Sequence, residues 1–312
     1  MSKLAAISVD LDEIDCYAAI HGLTSGELRM DAIYVRALPR LVGLFDELGV
    51  KATFFAIGTS LAKAENAGRL RLLHEAGHEI ANHSLSHHYD LTRRSAAVQR
   101  REVEGGAEAI ERAVGARPVG FRAPGYTMTD GLLRVLDQAG VAYDSSVFPC
   151  PSYYALKTSV IGAMRLMGRR SSSLVDDPRV LLAPADPYRI ADRYYRRGAG
   201  LLELPIGVTA GWSGRLPFIG TNVVSAGELG AALLAKLASA RPFVNLELHG
   251  IDLADAALDG LLPLTRYQPD LRFGHEQKRA SLRSALVKLK TLGYRFVTLR
   301  EAAAAHAARP QA

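Results

Sequence analysis

The sequence predicts an α/β fold, a distorted (β/α) barrel of about seven parallel strands with an insertion over its mouth. Short apolar runs alternate with amphipathic segments along the chain, and this alternation stops between residues 150 and 200. The composition agrees, because 48% hydrophobic and 22% charged residues are typical of a chain that buries a full core. We therefore expect residues 1–312 to form one domain, in which residues 150–200 are an insertion or lid.

Each predicted element has a local signal. Residues 5–9 are a short apolar run, and apolar residues at three- and four-residue spacing predict a helix over residues 31–48. Further strands are predicted at residues 52–57, 79–81, 118–121, 141–143, 201–204, 243–248 and 294–297. Further helices are predicted at residues 60–76, 95–114, 130–139 and 277–292. Two pairs have the spacing of a capping box and predict the starts of two more helices: Ser225 with Glu228, and Thr298 with Glu301.

Residues 150–200 lack a clear alternation of strand and helix, and proline, serine and arginine cluster there, as at residues 168–173. Within this segment, residues 154–167 combine apolar side chains with Lys157 and Arg165. Such a helix either packs on its own protein as a lid, or lies on a membrane surface or a lipid-linked substrate. We favour the lid, and the second interpretation stays open.

Charge and composition limit the partners of the chain. A net charge of +6 attracts anionic partners in general, but scattered basic residues and only 7% aromatic residues argue against nucleic-acid binding. No apolar run approaches the ~20 residues that would span a bilayer. The chain reaches Asp10 and Asp12 before a signal-peptide core could form, so we expect a cytoplasmic protein, at the inner face of the membrane if it contacts one. Cys16 and Cys150 are expected to be incidental thiols, and the sequence does not indicate an oligomeric state.

Polar side chains follow the predicted strands at the points where these strands end. In parallel α/β barrels the loops after the strands share one face, so residues distant in sequence meet there. The residues at these ends are Asp10, Asp12, His83, His87, Arg122, Glu203 and His249. We therefore expect a functional site at the carboxyl edge of the sheet.

The most informative pair is His83 and His87. Their four-residue spacing places two imidazoles on one side of a helical turn, from which both can reach a single divalent ion. One carboxylate would complete a facial triad with open positions for water. Asp10 and Asp12 are candidates, because one can hold the metal while the other takes a proton. The alternatives are a chance histidine pair and two acids that act only as solvated loop residues or helix caps.

These residues resemble the motifs of the polysaccharide deacetylases of the NodB-homology type, also called carbohydrate esterase family four. The resemblance covers residues 4–150 and 201–300, and its most specific part is the His-Ser/Thr-x-x-His motif at His83 and His87. The family's acidic pair is matched by Asp10 and Asp12, which are separated by one residue here instead of adjacent. The resemblance implies Asp10 as catalytic base and Asp12, His83 and His87 as metal ligands, with Glu13 as an alternative acid.

Two further motifs assign the remaining roles by resemblance. In the Arg-x-Pro segment, Arg122 would orient Asp10 and hold its charge, and the backbone just after Pro124, at Gly125 and Tyr126, would serve the oxyanion and the substrate. The final Leu-x-x-His motif makes His249 the general acid. The aspartate that normally tunes this histidine in the family has no counterpart after Asp144. Two candidates could orient His249 instead: Asp252 and Glu247.

The resemblance also implies a cofactor and an activity. Histidine and carboxylate ligands suit Zn²⁺ first, and Co²⁺, Ni²⁺ or Mn²⁺ as alternatives. The implied activity is removal of N-acetyl groups from a sugar in a glycan, a polysaccharide precursor or a lipid-linked saccharide. Residues 143–149 and 203–205 most resemble the branch associated with bacterial exopolysaccharide gene clusters. Three alternatives stay open: a hydrolase of a non-sugar C–N bond, a carbohydrate-binding pseudoenzyme and a basic nucleic-acid binder.

Overall fold

The computed structural model describes residues 3–23, 28–168, 171–211 and 214–308. Within these ranges, nine strands form one sheet, in which eight strands run parallel and one runs antiparallel. The strands are β1 (Lys3–Asp10), β2 (Thr53–Ala56), β3 (Glu79–Asn82), β4 (Gly120–Phe121), β5 (Tyr143–Asp144), β6 (Tyr188–Ile190), β7 (Arg197–Glu203), β8 (Phe243–His249) and β9 (Tyr294–Val297). The predicted α/β class is confirmed.

The sheet is built around β1, whose apolar residues are buried on both faces, as in other parallel sheets covered by helices. The strand order is β6-β7-β5-β4-β3-β2-β1-β8, and β9 also pairs with β1. One edge of β1 pairs with β8 along its length, and the other is shared by β9 and then β2. Past β7, the N–H of Gly207 donates to Asn245 on β8 at 2.8 Å, and Ile219 forms a bridge with Glu247. These links curl the sheet towards the predicted distorted barrel.

Ten α-helices cover the sheet in the described part of the chain. They are α1 (Ile14–His21), α2 (Leu38–Leu48), α3 (Ala64–Glu75), α4 (Ala96–Val114), α5 (Asp130–Gln138), α6 (Pro151–Leu166), α7 (Gly220–Ser225), α8 (Gly227–Ala238), α9 (His275–Thr291) and α10 (Leu299–Ala307). A π-helical turn at Ile33–Ala37 leads into α2. None of the helices described is both long and apolar enough to cross a membrane.

One predicted capping box is confirmed and the other is wrong. Thr298 caps α10 by accepting the N–H of Glu301, whose carboxylate accepts the N–H of Thr298 in return. Ser225 instead ends α7, and α8 begins after Ala226 without a side-chain cap. An N-cap residue needs an extended backbone, which a residue inside a helix does not have. The hydroxyl of Ser225 is consequently buried without a hydrogen-bond partner.

The segment 150–200 contains more regular structure than its composition suggests. It holds α6, a 3₁₀ turn at Pro178–Leu182 and β6, which pairs antiparallel with β7 and so joins the sheet. Arg169 and Arg170, part of the polar cluster noted in the sequence, lie outside the described residues. Both cysteines are free thiols, and Cys150 is buried.

Candidate metal centre and active site

Three buried side chains converge at the carboxyl edge of the sheet. The Nε2 atoms of His83 and His87 are 3.2 Å apart, and they lie 3.3 and 3.2 Å from Oδ1 of Asp12. A tetrahedral Zn²⁺ ion with ligands at about 2.0–2.1 Å separates its ligand atoms by about 3.3 Å. The three atoms therefore have the spacing that one small divalent ion requires.

The surroundings of this triangle also fit a cation. Nδ1 of His83 lies 2.8 Å from the carbonyl oxygen of Arg122, which can only accept, so Nδ1 carries the proton and Nε2 offers its lone pair. Oδ1 of Asp12 is buried without a hydrogen-bond partner. Burial opposes ionisation of Asp12, but the positive charges of His87 and His83 in their protonated forms outweigh it and hold the pKa of this carboxyl well below its usual range, and a cation bound by the neutral imidazoles would supply the same charge. The donor set and its orphaned oxygen thus favour a bound metal.

A loop, and not the predicted helical turn, brings the two histidines together. Residues 83–88 are not helical, and Ser84 and His87 have φ angles of 67° and 52°. These left-handed conformations are costly for residues with a Cβ and tend to cluster at functional sites. The loop is held by Glu102, whose backbone carbonyl and carboxylate accept the N–H groups of Leu85 and Ser86 at 2.9 and 2.8 Å. The prediction of proximity holds, and its helical explanation is wrong.

Asp10 lies next to the triangle and is paired with Arg122. The Nη1 atom of Arg122 donates to Oδ1 of Asp10 at 2.6 Å, and both side chains are fully buried. The guanidinium also donates to Ser8 and Ser145, so its position is fixed from several sides. Oδ2 of Asp10 has no hydrogen-bond partner and lies 3.7 Å from Nε2 of His83. One oxygen of Asp10 is therefore anchored and the other faces the site.

His249 ends β8 directly opposite Asp10 in the parallel register. Its Nδ1 lies 3.1 Å from Oε1 of Glu247, and its Nε2 lies 3.1 Å from the hydroxyl of Tyr126. Asp252 accepts the backbone N–H of His249 instead of contacting its ring. Burial lowers the pKa of His249, but the carboxylates of Glu247, Asp12, Asp10 and Asp252 together outweigh burial, with Glu247 contributing most, and the pKa is raised to about 9. Of the two candidate partners, the structure places Glu247 against the imidazole.

The other acidic side chains near the site form their hydrogen bonds away from the three candidate metal ligands. Glu13, the alternative to Asp12, directs its carboxylate to Lys63 and Asn66 at 3.1 Å each, away from the histidines. Glu203 and Asp144 are buried side by side behind Arg122, where burial and the Asp144 charge raise the pKa of Glu203 well above its usual range. Oε1 of Glu203 accepts the N–H of Val147 at 3.0 Å. These residues support the site without facing it.

A cavity of about 150 Å³ lies over the candidate centre. Besides the acids and histidines, it is lined by residues that sequence analysis did not single out for the site: Tyr17, Tyr89, Tyr153, Lys157, Thr221 and Gln268. Gly125 and Tyr126 also line it, and Lys157 donates to the carbonyl of Gly125 at 2.9 Å. The sequence held one signal, since Tyr153 and Lys157 are four residues apart and so share a helix face.

Fold and site together define an α/β barrel with a candidate mononuclear metal centre. Residues 27–143 match the family model described as polysaccharide deacetylase. A chitooligosaccharide deacetylase from Bradyrhizobium sp. (strain ANU 289) is 32% identical over 133 residues, which are 41% of this chain and 59% of that relative. Both matches support the resemblance of the sequence motifs to the polysaccharide deacetylases of the NodB-homology type. The match covers less than two thirds of the curated relative's length.

Solved structures share the fold over nearly the whole chain. A protein from Mycobacterium smegmatis assigned as a polysaccharide deacetylase has a TM-score of 0.58 and 20% identity, covering 100% of this chain and 94% of that one. A family four pseudoenzyme from Bacillus anthracis has a TM-score of 0.51 and 13% identity, covering 97% of this chain and 66% of that one. At these identities the likeness shows the fold alone. Assignment to the exopolysaccharide-associated branch stays a prediction.

Proposed function

We propose that the protein is a metal-dependent hydrolase that removes N-acetyl groups from a sugar in a glycan, a polysaccharide precursor or a lipid-linked saccharide. The observation that carries this proposal is the triangle of Asp12, His83 and His87, with Asp10 on one side. His249 opposes Asp10 across the β1–β8 pair. Amide hydrolysis needs an activated water, a group that takes its proton and a group that protonates the leaving amine.

Asp12, His83 and His87 would hold the divalent ion, with Zn²⁺ as first choice and Co²⁺, Ni²⁺ or Mn²⁺ as alternatives. When bound, such an ion lowers the pKa of a bound water from ~15.7 towards ~7 and polarises a carbonyl. Since Oδ1 of Asp10 is anchored by Arg122, the free Oδ2 is the atom placed to take the proton from the attacking water.

His249 would supply the proton that the leaving nitrogen needs. The Glu247 carboxylate beside Nδ1 keeps the imidazole protonated at neutral pH, so Nε2 can donate towards the cavity. As the new C–O bond forms and the amide C–N bond breaks, the products are acetate and a free amino sugar.

The turn after Arg122 would stabilise the negative oxygen of the tetrahedral intermediate. The N–H of Tyr126 donates to the carbonyl of Ala123 at 3.1 Å, so Gly125 is the residue of this turn placed to offer its N–H. Gly125 lines the cavity with a φ of 65°. Loss of one such donor typically costs about 2.7–4 kcal/mol in transition-state stabilisation.

The experiment is metal analysis of the purified protein, coupled to an acetate-release screen. The screen should contain N-acetylated oligosaccharides, lipid-linked N-acetyl sugars and nucleotide-linked N-acetyl sugars, each tested with and without a chelator. Chelator-sensitive acetate release from one of these supports the proposal. Turnover of ureides or formyl compounds alone would select the non-sugar hydrolase instead. Glycan binding without acetate release with any of the four metals would select the pseudoenzyme, and salt-sensitive nucleic-acid binding alone would select the nucleic-acid binder.

A further inference from the structure

Helix α6 carries an apolar stripe that the described part of the chain leaves exposed. Leu156, Val160 and Met167 lie at positions i, i+4 and i+11 of one helical face, and they are 65%, 49% and 65% exposed. Leu166 beside them is 92% exposed. Single exposed apolar residues are ordinary, but three of them on α6 and a fourth at its C-cap, Met167, form a patch that calls for a partner.

The same helix is fixed on the protein by the face that adjoins the stripe. Ile161 and Met164 are buried, and Tyr153 and Lys157 line the cavity over the candidate metal centre. The hydrogen bond from Lys157 to Gly125 ties the helix to the turn beside the site. Tyr153 precedes Leu156 by three residues and Val160 by seven, so the stripe directly adjoins the face that lines the cavity.

The charge of the chain is concentrated in the same segment. Residues 150–200 contain nine lysines and arginines and four aspartates, a net charge of +5, whereas the whole chain carries +6. Helix α6 has no acidic residue, and its Arg165 is exposed, whereas Lys157 faces the cavity. An apolar face within a basic segment is complementary to a bilayer that contains anionic lipids, which attract cations and accept apolar side chains at the headgroup boundary.

We infer that the stripe of Leu156, Val160, Leu166 and Met167 docks on the surface of an anionic lipid bilayer, with α6 lying in the plane of the interface. Docking would bring the cavity to the level of the headgroups, because the face of α6 that lines that cavity adjoins the stripe. If the proposed deacetylation is correct, a saccharide carried on a membrane lipid would be presented there. The docking itself does not require that activity.

The test is flotation of the full chain with vesicles of equal parts phosphatidylglycerol and phosphatidylcholine, compared with vesicles of phosphatidylcholine alone. We expect binding to the anionic vesicles, weakened by salt, and little binding to the neutral ones. The double variant Leu156→Glu/Val160→Glu should lower the partition coefficient about a hundredfold, since two aliphatic side chains no longer enter the interface.

The matched control is Leu229→Glu/Leu233→Glu on α8. These leucines are also exposed and four residues apart, but they lie outside the basic segment, so this variant should bind as the wild type does. Circular dichroism checks that both variants fold. Equal binding by the α6 variant and the wild type, or no wild-type binding to anionic vesicles, overturns the inference. A wild-type dimer that the α6 variant converts to monomer, without vesicle binding, would assign the stripe to a second copy of the chain instead.

Discussion

Oε1 of Glu247 lies 3.1 Å from Nδ1 of His249, and both residues come from the end of β8. Residues two apart in a strand point to the same face, so the strand geometry itself brings this carboxylate to the imidazole. Glu247 is fully buried, so its contact with His249 is shielded from solvent. A buried carboxylate in this position favours the charged form of the neighbouring imidazole.

The first prediction concerns the pH dependence of activity. Because Glu247 raises the pKa of His249, Glu247→Gln should lower that pKa towards its ordinary value of about 6.5. The protonated acid is then lost at lower pH, so the alkaline limb of the kcat profile should move to lower pH. The measurement is kcat against pH for acetate release, with His249→Gln as a control that lacks the limb. An unmoved limb in Glu247→Gln would show that Glu247 does not tune His249.

The second prediction concerns metal binding by the histidine pair. His83→Ala should abolish metal binding and acetate release, because it removes one of three closely spaced ligand atoms, while the circular dichroism spectrum stays that of a folded protein. His88→Ala is the matched control, since His88 is partly exposed and lies 3.6 Å from Glu102. Metal content per chain, measured by mass spectrometry, checks both variants. Full activity of His83→Ala would end the metal proposal.

The third prediction separates the two acids at the end of β1. Asp10→Asn should retain the metal and lose about 10²–10⁴ in rate, because the group that accepts the water's proton is gone. Asp12→Asn should lose both the bound metal and the activity, because Asp12 supplies a ligand oxygen to the triangle. Metal content and acetate release are measured on both variants, with thermal unfolding as the check on Arg122, which loses its charged partner in Asp10→Asn. Identical metal loss in both variants would contradict separate roles.

The fourth prediction concerns stability and the buried pair of Glu203 and Asp144. The folded protein holds a proton on Glu203 that the unfolded chain releases above a pH of about 4.3, because the folded-state pKa is raised. The free energy of unfolding contributed by this group therefore decreases as pH rises above that value. Because glutamine stays neutral, the free energy of unfolding of Glu203→Gln should fall less with rising pH than that of the wild type.

Urea unfolding of the wild type and Glu203→Gln at a mildly acidic and a mildly alkaline pH measures this difference. Glu203→Ala is the contrasting variant, because it leaves the buried N–H of Val147 without its acceptor and should cost about 1–3 kcal/mol at either pH. If the free energy of unfolding falls equally with pH in the wild type and in Glu203→Gln, the folded protein holds no extra proton on Glu203.

Much of the fold follows from local pattern. The strand predicted at residues 294–297 matches β9, and the helix predicted at residues 95–114 matches α4 with Ser95 as its N-cap. In segment 150–200 the local pattern does not predict strand β6, because β6 is only three residues long and owes its conformation to pairing with β7. The error at Ser225 has a similar origin, since the capping spacing was present but the residue was already part of α7.

The amino-acid sequence alone predicts the strand–helix order and the kinds of side chain at the strand ends, because periodicity and residue type are local properties. It also determined that His83 and His87 are candidate ligands. Three features become visible only in the folded chain: Glu13 turns away from the histidines, Glu247 and not Asp252 contacts the ring of His249, and a left-handed loop brings His83 and His87 together. Those outcomes depend on the register between distant parallel strands and on backbone angles set by packing, which no local pattern encodes.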